Sequence, residues 1–420
     1  MKVGILTIGS ELTTGRIQDT NTAYLAGELA SRAYEVSASM AVGDSAGAVK
    51  GALEHLLSIS HAVIVTGGLG PTADDITTEC IAKAFGLKLY TDEKALQVIK
   101  DRFERFKIRW SDNNAKQASF PKGARPIPNP VGTAWGYALK RNRKIIFVIP
   151  GVPREVRKMF PEEVLPILEK AAGKKKRIVL TKTIKLFGLA EALVDDTLAD
   201  VAYDRRILSI GFYPRFPENH IVLTARDTDR KRAQKNLEEV GRKIEERLKK
   251  HVFGHDGDTL EGIVGALLTE KKLTLAVAES LTGGLITDRL TNVPGSSRYF
   301  ERGVISYSNR SKTDLLGVTE ETLEKFGAVS ETTAVLMAEG VRELAKTDIG
   351  LSTTGIAGPT GGTENKPVGT VFIAVTDGRK RVCRDFQFRW DRRRIKEITS
   401  QWALELLRRF ILGLDSRGRK

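Results

Sequence analysis

The sequence predicts an α/β protein in three modules: an α/β unit over residues 1–170, a small α+β unit over 171–255 and a second α/β unit over 256–420. Three observations carry this reading. Short apolar runs alternate with helical patterns in the first and last stretches, as in mainly parallel sheets covered on both faces. Two breaks interrupt the pattern, at Ala171-Ala172-Gly173 with the following Lys174-Lys175-Lys176-Arg177, and at 254–257. The length of 420 residues suits two or three domains of about 150 residues each.

The elements follow in order. Residues 2–8 form a short apolar run ending at Gly9, and 22–31 place Ala23, Leu25, Ala26 and Leu29 on one helical face. Helical patterns recur over 47–57, 77–85 and 93–105, and buried strands are expected at 61–66 and 144–149. In the middle, 178–187 and 220–226 read as strands, 190–198 and 228–250 as helices. The last module predicts helices at 259–270, 284–291, 331–345 and 391–412. Its strands fall at 273–278, 303–307, 349–353, 368–376 and 381–388. No internal repeat or low-complexity tract is present.

Composition narrows the class. The chain is 41% hydrophobic and 28% charged, ordinary for a globular protein and unlike a disordered or fibrous one. No apolar run approaches the ~18–20 residues of a membrane span, and residues 1–6 lack the regions of a signal peptide. Cys80 and Cys383 have no metal-type spacing, so a cytoplasmic protein without structural zinc is expected. The net charge of +15 divides into +5, +7 and +3 over the three modules. It is densest in the short middle one. A basic run of this kind reads first as a solvated face and linker, with polyanion binding as the competing reading.

Two segments carry chemistry. In 66–75 (TGGLGPTADD) glycines follow a strand and precede a helix, which lets backbone N–H groups approach a phosphate. The loop is neither a Walker A motif nor GxGxxG. Asp74 and Asp75 beside it suit a hydrated divalent cation, or equally the capping of the next helix. The last module has no histidine, because all five precede residue 256. A Ser-His-Asp triad of its own is therefore impossible there. In 278–284 (AESLTGG), Ser280 sits on the turn between a buried strand and a helix. Such a turn exposes a hydroxyl beside the free N–H groups of the helix start, as an oxyanion hole requires. The competing reading is an N-cap serine. Covalent chemistry in that module must come from Ser, Thr, Lys, Tyr or a carboxylate, and the available base is a lysine with a lowered pKa. Lys312, past Tyr307 at the end of a strand, and Lys366 are the candidates, and Tyr307 would relay or orient a proton. The loop 354–363 (TGIAGPTGGT), with Thr354, Gly355, Gly358, Gly361 and Gly362, suits a phosphate or ribose, and Arg392 a phosphate.

These motifs resemble the CinA (competence/damage-inducible) family. Residues 1–170 match its molybdopterin-binding-like domain at 8–12 (IGSEL), Gly15, Asp19-Thr20-Asn21, the GGLGPT loop, Asn114 with Lys116-Gln117-Ala118, Asn129, Gly132-Thr133 and Pro150-Gly151-Val152-Pro153. Trp135 stands where the family usually has proline. Residues 256–420 resemble the family's nicotinamide mononucleotide (NMN) deamidase domain through AESLTGG, 293–297, Gly303, Tyr307-Ser308-Asn309, Lys312, 316–318, 327–330, GIAGPTGG, KPVGT and Asp391-Arg392. Leu281 replaces a common cysteine and Trp390 a common glycine. The middle module resembles a KH-type fold without the GXXG loop that clamps nucleic acid, and reads as a spacer or dimerisation module.

The resemblance implies an enzyme with two activities: hydrolysis of NMN to nicotinate mononucleotide and ammonia, and hydrolysis of ADP-ribose to AMP and ribose 5-phosphate. Ser280 would be the deamidase nucleophile and Lys312 its base, with Tyr307 assisting, without a cofactor. Thr282, Gly283, Gly284, the 354–362 loop and Arg392 would bind substrate. In the first module Glu11, Asn21, Gly67, Gly68, Leu69, Gly70, Pro71, Thr72, Asn114, Gln117, Asn129 and Thr133 would bind the nucleotide, and Asp74 and Asp75 a divalent metal (Mg, Mn or Co). Two other readings stay open: a deamidase with a non-catalytic nucleotide- or pterin-binding front domain, and a DNA-uptake or repair accessory. A homodimer is implied, and neither nucleic acid nor a membrane is an expected partner.

Overall fold

A computed structural model describes residues 1–173 and 178–414; the run Lys174-Lys175-Lys176-Arg177 lies outside the described residues. The chain divides into two compact units. One is Met1–Leu180 with Arg205–Leu208 and Ala225–Asn236, and the other is Thr181–Asp204, Ser209–Thr224 and Leu237–Lys420.

The first unit is built on a six-stranded sheet. Its strands are β1 (Lys2–Ile8), β2 (Glu35–Val42), β3 (Ala62–Thr66), β6 (Arg125–Ile127), β7 (Gly136–Arg141) and β8 (Lys144–Ile149), with β4 (Leu89–Thr91) and β5 (Ser119–Pro121) paired separately. The order is β2-β1-β3-β8-β7-β6. The first four strands run parallel, whereas β7 and β6 are antiparallel. Alternation decides the two faces. Leu6, Ile8, Val63, Val65, Ile146 and Val148 pack on Leu53 and Leu56 of the helix Ala46–Ile59. Val3, Ile5, Ala62, Ile64, Phe147 and Ile149 pack on Leu25 and Leu29 of the helix Thr20–Ser31. Because both faces are covered, β3 is buried throughout and reads as one apolar run. The helix starts at Thr20, two residues before its apolar periodicity, because the Asp19 carboxylate accepts from the N–H of Thr22.

The middle module is a four-stranded sheet of β9 (Ile178–Leu186), β10 (Leu208–Arg215), β11 (Glu218–Asp227) and β12 (Val252–His255) in the order β10-β11-β9-β12. Only Phe216 and Pro217 separate β10 from β11, making a hairpin.

The last module holds β13 (Leu275–Glu279), β14 (Phe300–Ile305), β15 (Ile349–Gly355), β16 (Thr370–Thr376) and β17 (Arg381–Gln387), in the order β14-β13-β15-β16-β17. β13 lies parallel to both its neighbours, and β16 and β17 are antiparallel additions. Leu275 and Val277 face a cluster with the helices Leu260–Glu270 and Arg392–Ile411, which also includes Phe187 and Phe253 of the middle module. Ala276 and Ala278 face Met337 and Val341 of the helix Glu331–Ala345. Among the described residues no helix is long and apolar enough to cross a membrane.

Candidate active site

The register of the last sheet assembles the site. Glu279 lies opposite Ile305 on one side and Thr353 on the other, so β13 and β14 end together, beside the last residues of β15. Ser280, Ser306 and Thr354 then stand along the carboxyl edge of the parallel strands, the ordinary place for a ligand in an α/β sheet. Lys312 reaches this edge from the helix Asn309–Leu316. A reciprocal capping box between Ser308 and Ser311 starts that helix and sets Lys312 one turn in, pointing at Ser280.

The Lys312 Nζ donates to Ser280 Oγ at 3.1 Å and to the Ser306 carbonyl at 2.8 Å. Lys312 is 1% exposed and Ser280 8%. Burial alone pushes the Lys312 ammonium down from 10.5 to about 8, because desolvation disfavours the charged form. Near neutral pH a usable fraction is therefore the free amine, and its lone pair can accept the Ser280 proton across the same contact. Lys366, the other candidate base, gives its ammonium to the Phe326 carbonyl at 2.7 Å. Burial pushes the Cys383 thiol up to about 12, so it is no thiolate nucleophile near neutral pH.

Glu279 organises the turn after Ser280, a role not read from the sequence. Its carboxylate is completely buried and accepts from the N–H groups of Gly284 (3.0 Å), Ile286 (3.1 Å) and Thr287 (2.8 Å), and from the Thr287 hydroxyl at 2.8 Å. The first N–H groups of the helix Leu285–Thr291 are thus already taken. The expectation that this helix end holds an oxyanion needs correction. Among the described residues, the N–H groups left without an intramolecular acceptor are those of Leu281, Thr282 and Gly283, on the turn itself.

The remaining expected residues fall into two groups. Thr282, Gly283, Gly284 and Arg392 line a cleft of 670 Å³ with Asp288, Arg393 and Lys396. Arg392 donates to the Gly358 carbonyl and to the Tyr307 hydroxyl, each at 2.7 Å. Tyr307 is 60% exposed and orients Arg392; among the described residues its hydroxyl makes no hydrogen bond to Ser280 or Lys312. The Thr354 hydroxyl is committed to the Ala328 carbonyl at 2.7 Å. Packing accounts for part of the loop's glycine content. A Cβ at Gly358 would meet Val368 Cγ1 at 2.5 Å, and one at Gly355 the Thr370 carbonyl at 2.8 Å.

In the first unit the glycine loop follows β3. Gly67, at φ +108°, lies so close to β1 that a Cβ there would clash with the Ile8 carbonyl oxygen. The Thr77 hydroxyl fastens the loop by donating to the Gly67 carbonyl at 2.9 Å. Asn21 donates to the Gly151 carbonyl at 2.7 Å, joining the helix Thr20–Ser31 to the loop after β8. Leu69 is buried in the core, Gly70 sits against the Asp75 carboxylate, and Glu11 folds back beside Gly9. Pro71 and Thr133 are half-buried.

Asp74 and Asp75 converge on one residue. The Thr72 hydroxyl meets both carboxylates at 2.5 Å, and the Thr72 N–H donates to Asp75 at 2.9 Å. The hydroxyl holds the Asp74 carboxyl below its usual range. The Thr72 hydrogen bonds all fall on one oxygen of each aspartate, Oδ1 of Asp74 and Oδ2 of Asp75. Among those residues, no three His, Cys, Asp or Glu side chains are grouped as a ready cation site. A two-carboxylate set fits a magnesium-like ion that keeps waters and arrives on substrate phosphates. Asn114 and Gln117 are buried and bonded to each other at 2.9 Å, leaving Gln117 Oε1 without a partner among the described residues. Asn129 holds its own loop instead: its amide bonds Ala134, Glu155, Val131 and Gly132.

Comparison with known proteins matches these units to three family models: "Probable molybdopterin binding domain" over residues 4–170, "Damage-inducible protein CinA KH domain" over 181–254 and "CinA C-terminal domain" over 257–411. A CinA-like protein of Syntrophus aciditrophicus is 56% identical over 412 residues, covering 98% of each chain. The chain belongs to the CinA family. A second CinA-like protein, from Geotalea uraniireducens, is 41% identical and covers 99% of each chain. A solved CinA from Thermoplasma acidophilum is 34% identical, covering 40% of this chain and 97% of its own, with a TM-score of 0.37. The architecture of this CinA family member is a molybdopterin-binding-like α/β domain, a KH-like middle domain and a CinA C-terminal domain. Trp135 packs on the cluster that holds Leu69 and Cys80, and Leu281 is buried in the C-terminal core.

Proposed function

We propose that this CinA family member is a hydrolase of pyridine nucleotides whose C-terminal site deamidates NMN. The observation that supports the reading is the buried lysine amine at 3.1 Å from the Ser280 hydroxyl, in a module without histidine. Ser280 Oγ attacks the carboxamide carbon while Lys312 takes its proton. The oxyanion so formed is held by the N–H groups of the 281–283 turn. Lys312 returns the proton to the leaving nitrogen, ammonia departs, and water hydrolyses the acyl-serine by the reverse relay. Arg392 and Lys396, on the cleft wall, meet the nucleotide phosphate. Ammonia release from NMN by the purified chain is the test; none at any pH from about 6 to 9 refutes the reading.

For the N-terminal domain the proposal is hydrolysis of a diphosphate such as ADP-ribose. Asp74 and Asp75 would hold a divalent cation, which when bound supplies charge neutralisation on the diphosphate. The loop 67–72 presents its backbone to the phosphates, and the unpartnered Gln117 Oε1 is an acceptor for a sugar or base donor. AMP release from ADP-ribose, with and without chelator, tests this half independently.

A further inference from the structure

The middle module shares a core with the C-terminal domain and touches it again beside the cleft. From Phe187 a chain of rings runs to Trp402 (4.7 Å between centroids), Phe386 (4.9 Å), Phe388 (5.4 Å), Trp390 (5.8 Å) and Phe216 (5.3 Å). It begins just after β9 and ends at the tip of the β10–β11 hairpin. The Arg394 guanidinium lies over the Phe216 ring at 5.4 Å.

Trp390 is where this chain meets the site. The next residue, Asp391, caps the last helix by accepting from the N–H groups of Arg393 and Arg394. Arg392, one further, reaches the Gly358 carbonyl and Tyr307. A polar link runs in parallel. Glu218 of β11 accepts from Gln401 at 2.9 Å, and Gln401 accepts at 2.7 Å from Arg289, on the helix that follows the Ser280 turn. The hairpin thus touches both walls of the cleft at one remove.

We propose that the middle module is a working part of the C-terminal site: its hairpin tip, through the Phe216–Trp390 contact, sets the position of Arg392 and so the affinity for a phosphate-bearing substrate. The substrate class rests on the deamidase reading; the coupling does not. An edge-to-face aromatic pair half open to water, with a cation on one ring, is strong enough to bias one exposed arginine. A mere spacer needs no such contact. Phe216 and Trp390 are positioning residues, acting only through Arg392.

The test uses full-length Phe216→Ala, Trp390→Ala and the double variant. Each single change is expected to raise KM for NMN roughly 3- to 10-fold, the size of one aromatic pair, with kcat within about twofold. The double variant should be no worse than Trp390→Ala, since both remove one contact. Unchanged KM in both singles, or fully additive effects, overturns the proposal. Hydrogen exchange on the ligand-free Phe216→Ala protein gives a readout independent of activity. Amides over 391–396 should exchange faster while β13 keeps its protection; unaltered exchange at 391–396 overturns the coupling, and equal acceleration in β13 does so by showing general loosening. If the parent chain releases no ammonia from NMN, the deamidase reading falls and the exchange result alone decides the coupling.

Discussion

The two glycine turns of this molecule share a plan, strand to loop to helix with a carboxylate alongside, yet they differ in what the carboxylate does. At the C-terminal turn Glu279 is buried and fully bonded to the helix start. Among the described residues the N–H groups of 281–283 are thereby left as the open ones, and Ser280 and Lys312 are already in contact. At the N-terminal turn Asp74 is exposed and bound to Thr72 together with Asp75. Under the proposed reading the first site is complete in the protein alone, and the second is completed by a divalent cation. Buried groups must find partners within the fold, whereas exposed carboxylates rest on water until a cation replaces it.

The sharpest test of this contrast is Ser280→Ala, expected to lower ammonia release from NMN by at least ~10²-fold while leaving any AMP release from ADP-ribose untouched. Equal loss at both sites would mean that they are not independent. Next, Asp74→Asn or a chelator should abolish AMP release and leave ammonia release within about twofold; a chelator-sensitive deamidation would contradict a site complete in itself. The pH profile is the third. With Lys312 as base at about 8, kcat/KM for NMN should rise about tenfold per pH unit below that value and level off above it. A flat profile from about pH 6 to 8 removes lysine from the role.

The smallest effect is on stability. The ammonium of Lys312 is disfavoured in the folded state, so the unfolded chain binds more protons between about pH 8 and 10.5, and stability rises with pH across that window. Below about pH 8 both states are protonated and the fold carries the burial cost in full. Lys312→Met removes this dependence. The difference in unfolding free energy between parent and variant should therefore shift by up to ~3 kcal/mol from about pH 7 to 10.5, read by urea denaturation at each pH.

Buried strands and amphipathic helices are legible in the sequence residue by residue. β3, β8 and β13 read as apolar runs because both faces of each are covered. The helix Glu331–Ala345 is equally plain, since its apolar stripe is continuous and Ser330 caps it by accepting from the N–H of Thr333. Other elements leave no such trace. β2 (EVSASMAV) is an edge strand of small and polar residues, only part-buried, and β10 (LSIGFYPR), also at an edge, has its apolar residues interrupted by Gly211 and Pro214 and only Leu208 fully buried. The helix Asn309–Leu316 is too short and too polar to show a periodicity, and what starts it is the Ser308–Ser311 capping box. Pattern alone therefore leaves Lys312 at the end of a strand, when it belongs to the first turns of a helix.

Local pattern and residue inventory together dictate the α/β class and the glycine turns, and the five histidines that all precede residue 256 exclude a Ser-His-Asp triad from the last module. Folding settles the rest. It brings Lys312 and not Lys366 beside Ser280, gives the first helix N–H groups to Glu279, and turns Asn129 inward and Tyr307 toward Arg392. Each of these outcomes depends on which strand ends lie side by side and on what water can reach. A chain read one neighbour at a time does not carry that information, because desolvation and long-range hydrogen bonds exist only once the sheet has formed.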